Sequence, residues 1–455
     1  MLLRASLVVL LAHMPSAMAG GNMEERVLPN GLKVIVKEDH RAPVAVSQLW
    51  YKAGSMDEFN GTTGVAHVLE HMMFKGTPRV PAGRFTKLIA AAGGRDNAFT
   101  AQDYTTYFQQ LQKSRLPLAL KLEADRMQNL SLSKAEFGKE IKVVMEERRW
   151  RTDDKPQSLV YEGMMATAFQ EHPYRRPVIG WMNDLEHMTA ADARAWYRRW
   201  YAPNNAVLVV VGDVQPAQVF KLAADYFGKI KARPLPVRKP QAEPPQEGIR
   251  RVEVKAPAKL PYLLMGYHAP VLRNPAQDWE PYALEVLAGV LDGNGSARLN
   301  QALVRESRVA SEVGAGYDDV ARGPGMFVLE GTPSEGKTVR DVEAALREQI
   351  EKLKRDGITP EELQRVKAQV IAAQVYQRDS MFYQGMLIGQ YEISGLSYKA
   401  LDTRLERLKA VSAEQVREVA GKYLKDDNLT VATLDPQPLE GHTPVAPPKG
   451  ARDVR

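Results

Sequence analysis

The chain has 455 residues and no cysteine, with 61 lysines and arginines against 55 aspartates and glutamates. Its length exceeds one ordinary domain of about 100–200 residues, and 44% hydrophobic with 25% charged residues excludes a disordered or collagenous chain. Lack of thiols excludes disulfides, thiolate zinc sites, iron–sulfur clusters and cysteine nucleophiles, so a metal must be held by carboxylates and some of the eight histidines.

At the N-terminus, Arg4, the apolar run Ala5 to Ala12 and the small-residue site Ala17-Met18-Ala19 together have the form of a secretory signal peptide over residues 1–19. The short apolar run points to a bacterial exported protein, and so to the periplasm. No later stretch is apolar enough for a membrane span. Val44 to Gly54 reads as a strand. After a loop, Gly64 to Lys75 reads as a helix ended by Gly76.

That helix contains His67-Val68-Leu69-Glu70-His71. Residues four apart lie on one helix face, so the two imidazoles reach a single ion. Two imidazoles and one carboxylate make a three-ligand zinc site with an open position for water, and Glu70, at the edge of that face, becomes the base that accepts the water's proton. His172 and His187 stand alone and read as ordinary core or surface histidines. Gly93-Gly94 to Asn97 reads as a turn entering a strand. Ser133 to Trp150 reads as a long carboxylate-rich helix, on which Glu140 and Glu147 share a face and Glu146 is turned away by about 100°. Spacing alone does not choose the third ligand from among these carboxylates. Arg148-Arg149-Trp150-Arg151 complements the dipole at that helix's end, and no basic cluster interleaved with aromatics suggests nucleic acid.

Residues 233–248, RPLPVRKPQAEPPQEG, read as an extended proline-rich linker. It separates a first domain (20–232) from a second (249–435), and 436–455 reads as a polar tail. The second domain repeats the pattern of the first: a strand over Leu260 to His268, then a helix from Tyr282 to Asp292 ended by Gly293. Val207 to Val211 and Leu429 to Leu434 match as late strands. Aligning the two glycines gives an offset of 217, at which His67, Glu70 and His71 fall on Leu284, Leu287 and Ala288. The expected fold is α+β: two homologous domains, each a mostly antiparallel sheet covered by helices, facing each other across a cavity, with chemistry only in the first.

The run His67 to Thr77 (HVLEHMMFKGT) resembles the inverted zinc motif of the family of pitrilysin, insulin-degrading enzyme and the mitochondrial processing peptidase. The likeness extends to Leu28-Pro29-Asn30-Gly31-Leu32 as the opening strand, to Gly93-Gly94 through Tyr107, and to Trp200 through Gly212. The resemblance implies that Glu147 is the third zinc ligand, with Glu140 behind it orienting a histidine or the helix. It also implies that Asn97, Ala98 and Phe99 hold an extended peptide as an added strand. Complete sites in the family carry an arginine and, seven residues on, a tyrosine that clamp the substrate carbonyl. Here Arg305 is present, but Ser311 stands near the tyrosine's place, and Tyr317 is the next tyrosine.

The resulting expectation is a zinc endopeptidase, with one Zn2+ per chain, acting on extended or unfolded peptides. A homologous zinc-less subunit carrying the arginine–tyrosine pair would complete the site in a heterodimer, a homodimer being the weaker expectation. The competing expectation is a non-catalytic scaffold or peptide-binding subunit.

Overall fold

Several strands are apolar on every residue, which requires cover on both faces of a sheet. The computed structural model describes residues 23–439; the leader read at 1–19 and the tail beyond 439 lie outside the described residues. Strands β1 (Met23–Val27), β2 (Lys33–Glu38), β3 (Val44–Tyr51), β4 (Arg95–Thr100), β5 (Thr105–Gln112) and β6 (Ala206–Gly212) form one sheet, ordered β1-β2-β6-β3-β5-β4. Strands β7 (Arg250–Pro257), β8 (Tyr262–Ala269), β9 (Ala310–Tyr317), β10 (Gly325–Pro333) and β11 (Leu429–Gln437) form the other, ordered β7-β11-β8-β10-β9. Without β1 the two orders coincide strand for strand. Even the single parallel pair recurs, β2 with β6 and β7 with β11, among otherwise antiparallel neighbours. The fold is thus the expected α+β duplication.

Alternate residues of the central strands enter different cores. Val34, Val36, Leu49, Tyr51, Leu208 and Val210 pack with the helices of the first half. Ile35, Trp50, Val209 and Val211 pack with residues of the second half. The cover on that second face is an exchanged helix, Met381–Ile393, which lies on β3 and β6. Reciprocally, the first-half helix Pro156–Ala168 lies on β7, β8 and β11, where Val160 and Met164 meet Leu264, Ala432 and Leu434. Each half therefore supplies one layer of the other's core.

Some elements differ in extent from the sequence reading. Leu28 to Leu32 is a turn between β1 and β2 rather than a strand: Gly31 takes φ +86°, the Leu28 amide bonds the Leu32 carbonyl at 2.9 Å, and the Asn30 side chain accepts from Leu32 N at 3.3 Å. The helix read over 64–75 runs Val65–Met72, because its last turn tightens to three-residue bonds from Phe74 and Lys75 before Gly76 at φ +91°. Ser133 caps the helix Lys134–Arg148, which then continues as a π-turn over Arg149–Asp153. β11 extends to Gln437, pairing Pro436 with Ala256 and Gln437 with Pro257 at the start of the segment read as tail. Residues 231–248 carry no regular structure.

Candidate metal centre and peptide cleft

The helix Val65–Met72 begins at Gly64, whose φ of +85° and approach to Ile179 exclude a side chain: a Cβ there would stand 2.4 Å from the Ile179 carbonyl oxygen. Its first amides are held by a buried carboxylate, Glu58, which accepts from Gly64 N and Ala66 N at 2.8 Å each. Asp184 accepts from Gly61 N, Thr63 N and the Thr63 hydroxyl just before it. Carboxyl oxygens at a helix start satisfy its orphan amides, and this double cap fixes the helix that carries the motif.

One turn apart, the His67 and His71 rings lie with centroids 4.8 Å apart. Glu147, from the helix Lys134–Arg148, reaches both: its Oε2 is 3.1 Å from His71 Nε2 and its Oε1 3.8 Å from His67 Nε2. The ligand atoms of His67, His71 and Glu147 all fall within 4.8 Å of one another, and this is the one such group among the described residues. Two turns back, Glu140 meets His71 Nδ1 at 3.1 Å and also pairs with Lys75. A proton on Nδ1 shared with Glu140 leaves Nε2 as the donor face. Glu146 is turned away to Arg149.

The donor set suits zinc. Two imidazole Nε2 atoms and a carboxylate converge, and neither nitrogen of His67 makes a hydrogen bond among the described residues, its Nδ1 being buried without a partner. Burial, then the neighbouring His71, lowers the pKa of His67 to about 3, which keeps it the neutral ligand a metal needs. Burial opposes charge on His71 too, but its bonds to Glu140 and Glu147 outweigh it and lift the pKa to about 9. Burial raises Glu147, yet its contacts with His71 and His67 hold it down to about 2. Glu70, buried beside the group, is pushed above the usual carboxylate range by desolvation, the direction that suits a base working near neutral pH.

These groups line a cavity of about 1020 Å³ whose walls come from residues 67–179. Asn97, Ala98 and Phe99 lie along it on β4. β4 ends the sheet order and pairs only with β5, leaving its other edge open on the cavity side. Arg305 is not brought to this group. It sits exposed in the π-helical segment Asn300–Glu306 of the second half. Ser311 spends its hydroxyl on the Thr332 carbonyl at 3.2 Å, and Tyr317 donates to the Pro270 carbonyl while stacking on Phe327. His172 is buried and His187 exposed, both away from the group. At the duplicate positions Leu284 and Leu287 are fully buried core residues.

Two neighbours of the group are not identified as such by the sequence, in which Arg151 reads only as part of a basic helix end. The Thr100 hydroxyl donates to Glu70 Oε2 at 2.6 Å, and Arg151 lies 3.0 Å from Glu147 Oε1. Arg151 stands four residues after Glu147, a spacing that signals a helix ion pair. Thr100 closes the Asn97 segment, and no local pattern ties it to Glu70.

Residues 33–181 match the family model described as insulinase (peptidase family M16), and residues 187–370 match the model described as peptidase M16 inactive domain. The zinc protease PqqE of Helicobacter pylori is 33% identical over 422 residues, covering 91% of this chain and 93% of that one. An uncharacterized zinc protease of Mycobacterium tuberculosis is 31% identical, covering 90% and 92%. A probable mitochondrial-processing peptidase subunit beta of Arabidopsis thaliana is 24% identical, covering 90% and 77%. Among solved structures, a protease from Helicobacter pylori superimposes with a TM-score of 0.86 at 30% identity, over 91% of this chain and all of that one.

Proposed function

The chain belongs to peptidase family M16, and from that membership we propose that it is a zinc endopeptidase cleaving extended or unfolded peptides. The observation that carries this reading is the convergence of His67, His71 and Glu147 within 4.8 Å beside the buried Glu70. In this reading His67, His71 and Glu147 are the ligands, Glu140 orients His71, and Glu70 is the catalytic base. Zinc, when bound, supplies Lewis acidity toward water and the scissile carbonyl.

The protein's own residues supply the rest. A peptide added along β4 makes main-chain bonds at Asn97, Ala98 and Phe99, which explains tolerance of many sequences. Its carbonyl carbon then lies over the group formed by Glu70 and the three ligands. Glu70 takes a proton from the attacking water and passes it to the departing amine nitrogen, and Thr100 holds the Glu70 carboxylate in register for both transfers.

The position of Arg305 outside the cavity supports a second element of the proposal: the donors that steady the developing oxyanion come from a homologous subunit bearing the arginine–tyrosine pair. The signal-peptide pattern further supports export to a bacterial periplasm, with a mature N-terminus at Gly20 readable by N-terminal sequencing.

The test is hydrolysis of an unfolded polypeptide by the zinc-loaded chain, alone and with the homologous subunit, before and after chelation. Cleavage that the chelator abolishes, zinc restores and the subunit accelerates is the expected result. Equal rates with and without the subunit would remove the heterodimer. A wild-type chain that holds no zinc and cleaves nothing, yet binds peptide, would be the scaffold.

A further inference from the structure

The cavity has two electrostatically different ends. Near the metal group every lining carboxylate is already engaged: Glu70 by Thr100, Glu140 by His71 and Lys75, and Glu147 by His71 and Arg151. Glu162 is held by both Nη atoms of Arg148, at 2.8 and 2.9 Å. Beyond them the lining turns cationic with Arg175 and Arg176.

Arg175 is exposed and gives Nη1 to the Gln170 carbonyl at 2.6 Å. Arg176 gives Nε to Asn60 Oδ1 at 2.9 Å and Nη1 to the Glu58 carbonyl at 2.6 Å. These acceptors are neutral, and neither guanidinium makes an ion pair within 4 Å among the described residues; Glu58 and Asp184 act on Arg176 only from a distance. The Glu58 and Asp184 carboxylates, nearest behind Arg176, are bonded to the amides ahead of the motif helix. The Gln102 side chain reaches the Tyr174 carbonyl at 3.4 Å, so the arginines adjoin the end of β4 where Ala101 and Gln102 follow Thr100. A peptide laid along β4 therefore runs from the metal group toward the Arg175 and Arg176 guanidiniums.

We propose that Arg175 and Arg176 form a carboxylate subsite, so that the peptides this chain selects carry an acidic side chain displaced along the strand from the cleaved bond. The inference rests on the peptidase reading and names its substrate class. Arginine suits this role because its planar fork grips a carboxylate through two parallel bonds. It also gives a use to the basic excess of the chain, 61 cationic against 55 anionic side chains.

Binding, separated from cleavage, tests it. Labelled extended peptides identical but for glutamate, glutamine or lysine, each with a free or amidated C-terminus, are titrated by fluorescence anisotropy into the zinc-loaded Glu70→Gln protein. The glutamate peptide is expected to bind about tenfold tighter than the glutamine one, the sum of several modest ion pairs, with or without amidation. Rising salt should shrink that ratio. The paired changes Arg175→Glu and Arg176→Glu should put the lysine peptide ahead, an inversion that a damaged fold cannot produce. A glutamate-to-glutamine ratio near one, or a preference that survives charge reversal, overturns the subsite; a preference that vanishes on amidation assigns the arginines to a chain terminus and overturns the side-chain assignment. Hydrolysis of the glutamine peptide by the wild-type chain is read separately. Its absence with every subunit combination defeats the peptidase reading, whatever the ratio.

Discussion

His71 is held at both ring nitrogens, by Glu140 on Nδ1 and by Glu147 on Nε2, each at 3.1 Å. The two carboxylates therefore have different tasks, and substitution should separate them. Glu147→Gln is expected to abolish zinc retention. Glu140→Gln, which leaves His67, His71 and Glu147 in place, should weaken zinc by about 10–100-fold, measured by competition with a calibrated chelator; an unchanged affinity would show that Glu140 does not orient His71. Thr100→Val takes a 2.6 Å charge-assisted bond from Glu70 and should lower kcat about tenfold with KM held, as steady-state kinetics on one peptide would show. At this scale the sequence was informative where geometry is local. His67 and His71 pair because they are one turn apart, and Glu140 and Glu147 share a face because they are two turns apart. It could not rank those carboxylates, since the choice depends on where one helix meets another. Arg305 shows the converse: the residue type matches the family pattern, but its side chain is exposed on a π-helical segment anchored by the buried Leu303.

Among elements, the least legible feature is the exchange of the helices Pro156–Ala168 and Met381–Ile393. Nothing in either stretch states which sheet it covers, because both sheets offer the same apolar face. What the sequence did carry was the need for cover: uninterrupted runs such as Ala206–Gly212, buried on both sides. The close approach of Met381–Ile393 depends on small residues. A Cβ on Gly389 would lie 2.1 Å from the Trp50 ring, and one on Gly385 2.8 Å from the Gln48 side chain. Gly389→Ala is therefore expected to cost about 1–3 kcal/mol through overpacking, read by urea unfolding. Gly421→Ala, in the helix Ala413–Tyr423 with nothing within 4 Å, should instead gain about 0.5–1 kcal/mol from helix propensity. Equal effects at the two sites would contradict the packing assigned to the exchanged helix.

For the whole molecule, two halves that share core layers are also joined by buried polar contacts. Arg322 of the second half grips both Asp57 oxygens, at 2.9 and 3.3 Å, while its amide bonds Asp103 at 2.8 Å. Beside this joint His172 packs on Tyr174 and accepts from its amide at 3.2 Å. A Cβ on Gly323 of the second half would stand 2.4 Å from the His172 ring. Burial lowers the pKa of His172 to about 4, so as pH falls the unfolded chain takes its proton first. The stability held by neutral His172 is complete above about pH 6.5 and is lost between there and 4. Urea unfolding should accordingly show about 2–3 kcal/mol of decline from pH 7 to 4.5 that His172→Gln removes; an unaltered slope in that variant would contradict it. The duplication itself was legible at a 217-residue offset because strands and terminal glycines recur, whereas the interlock was not, since it is set by contacts between elements distant in sequence. In the proposed reaction Glu70 moves protons at a metal held by other residues. Metal content and peptide hydrolysis, measured together on wild type and Glu70→Gln, test it most directly. One zinc per chain is expected in both proteins, with hydrolysis only in the wild type; zinc lost from the variant would make Glu70 a ligand, and hydrolysis kept by it would exclude Glu70 as the base.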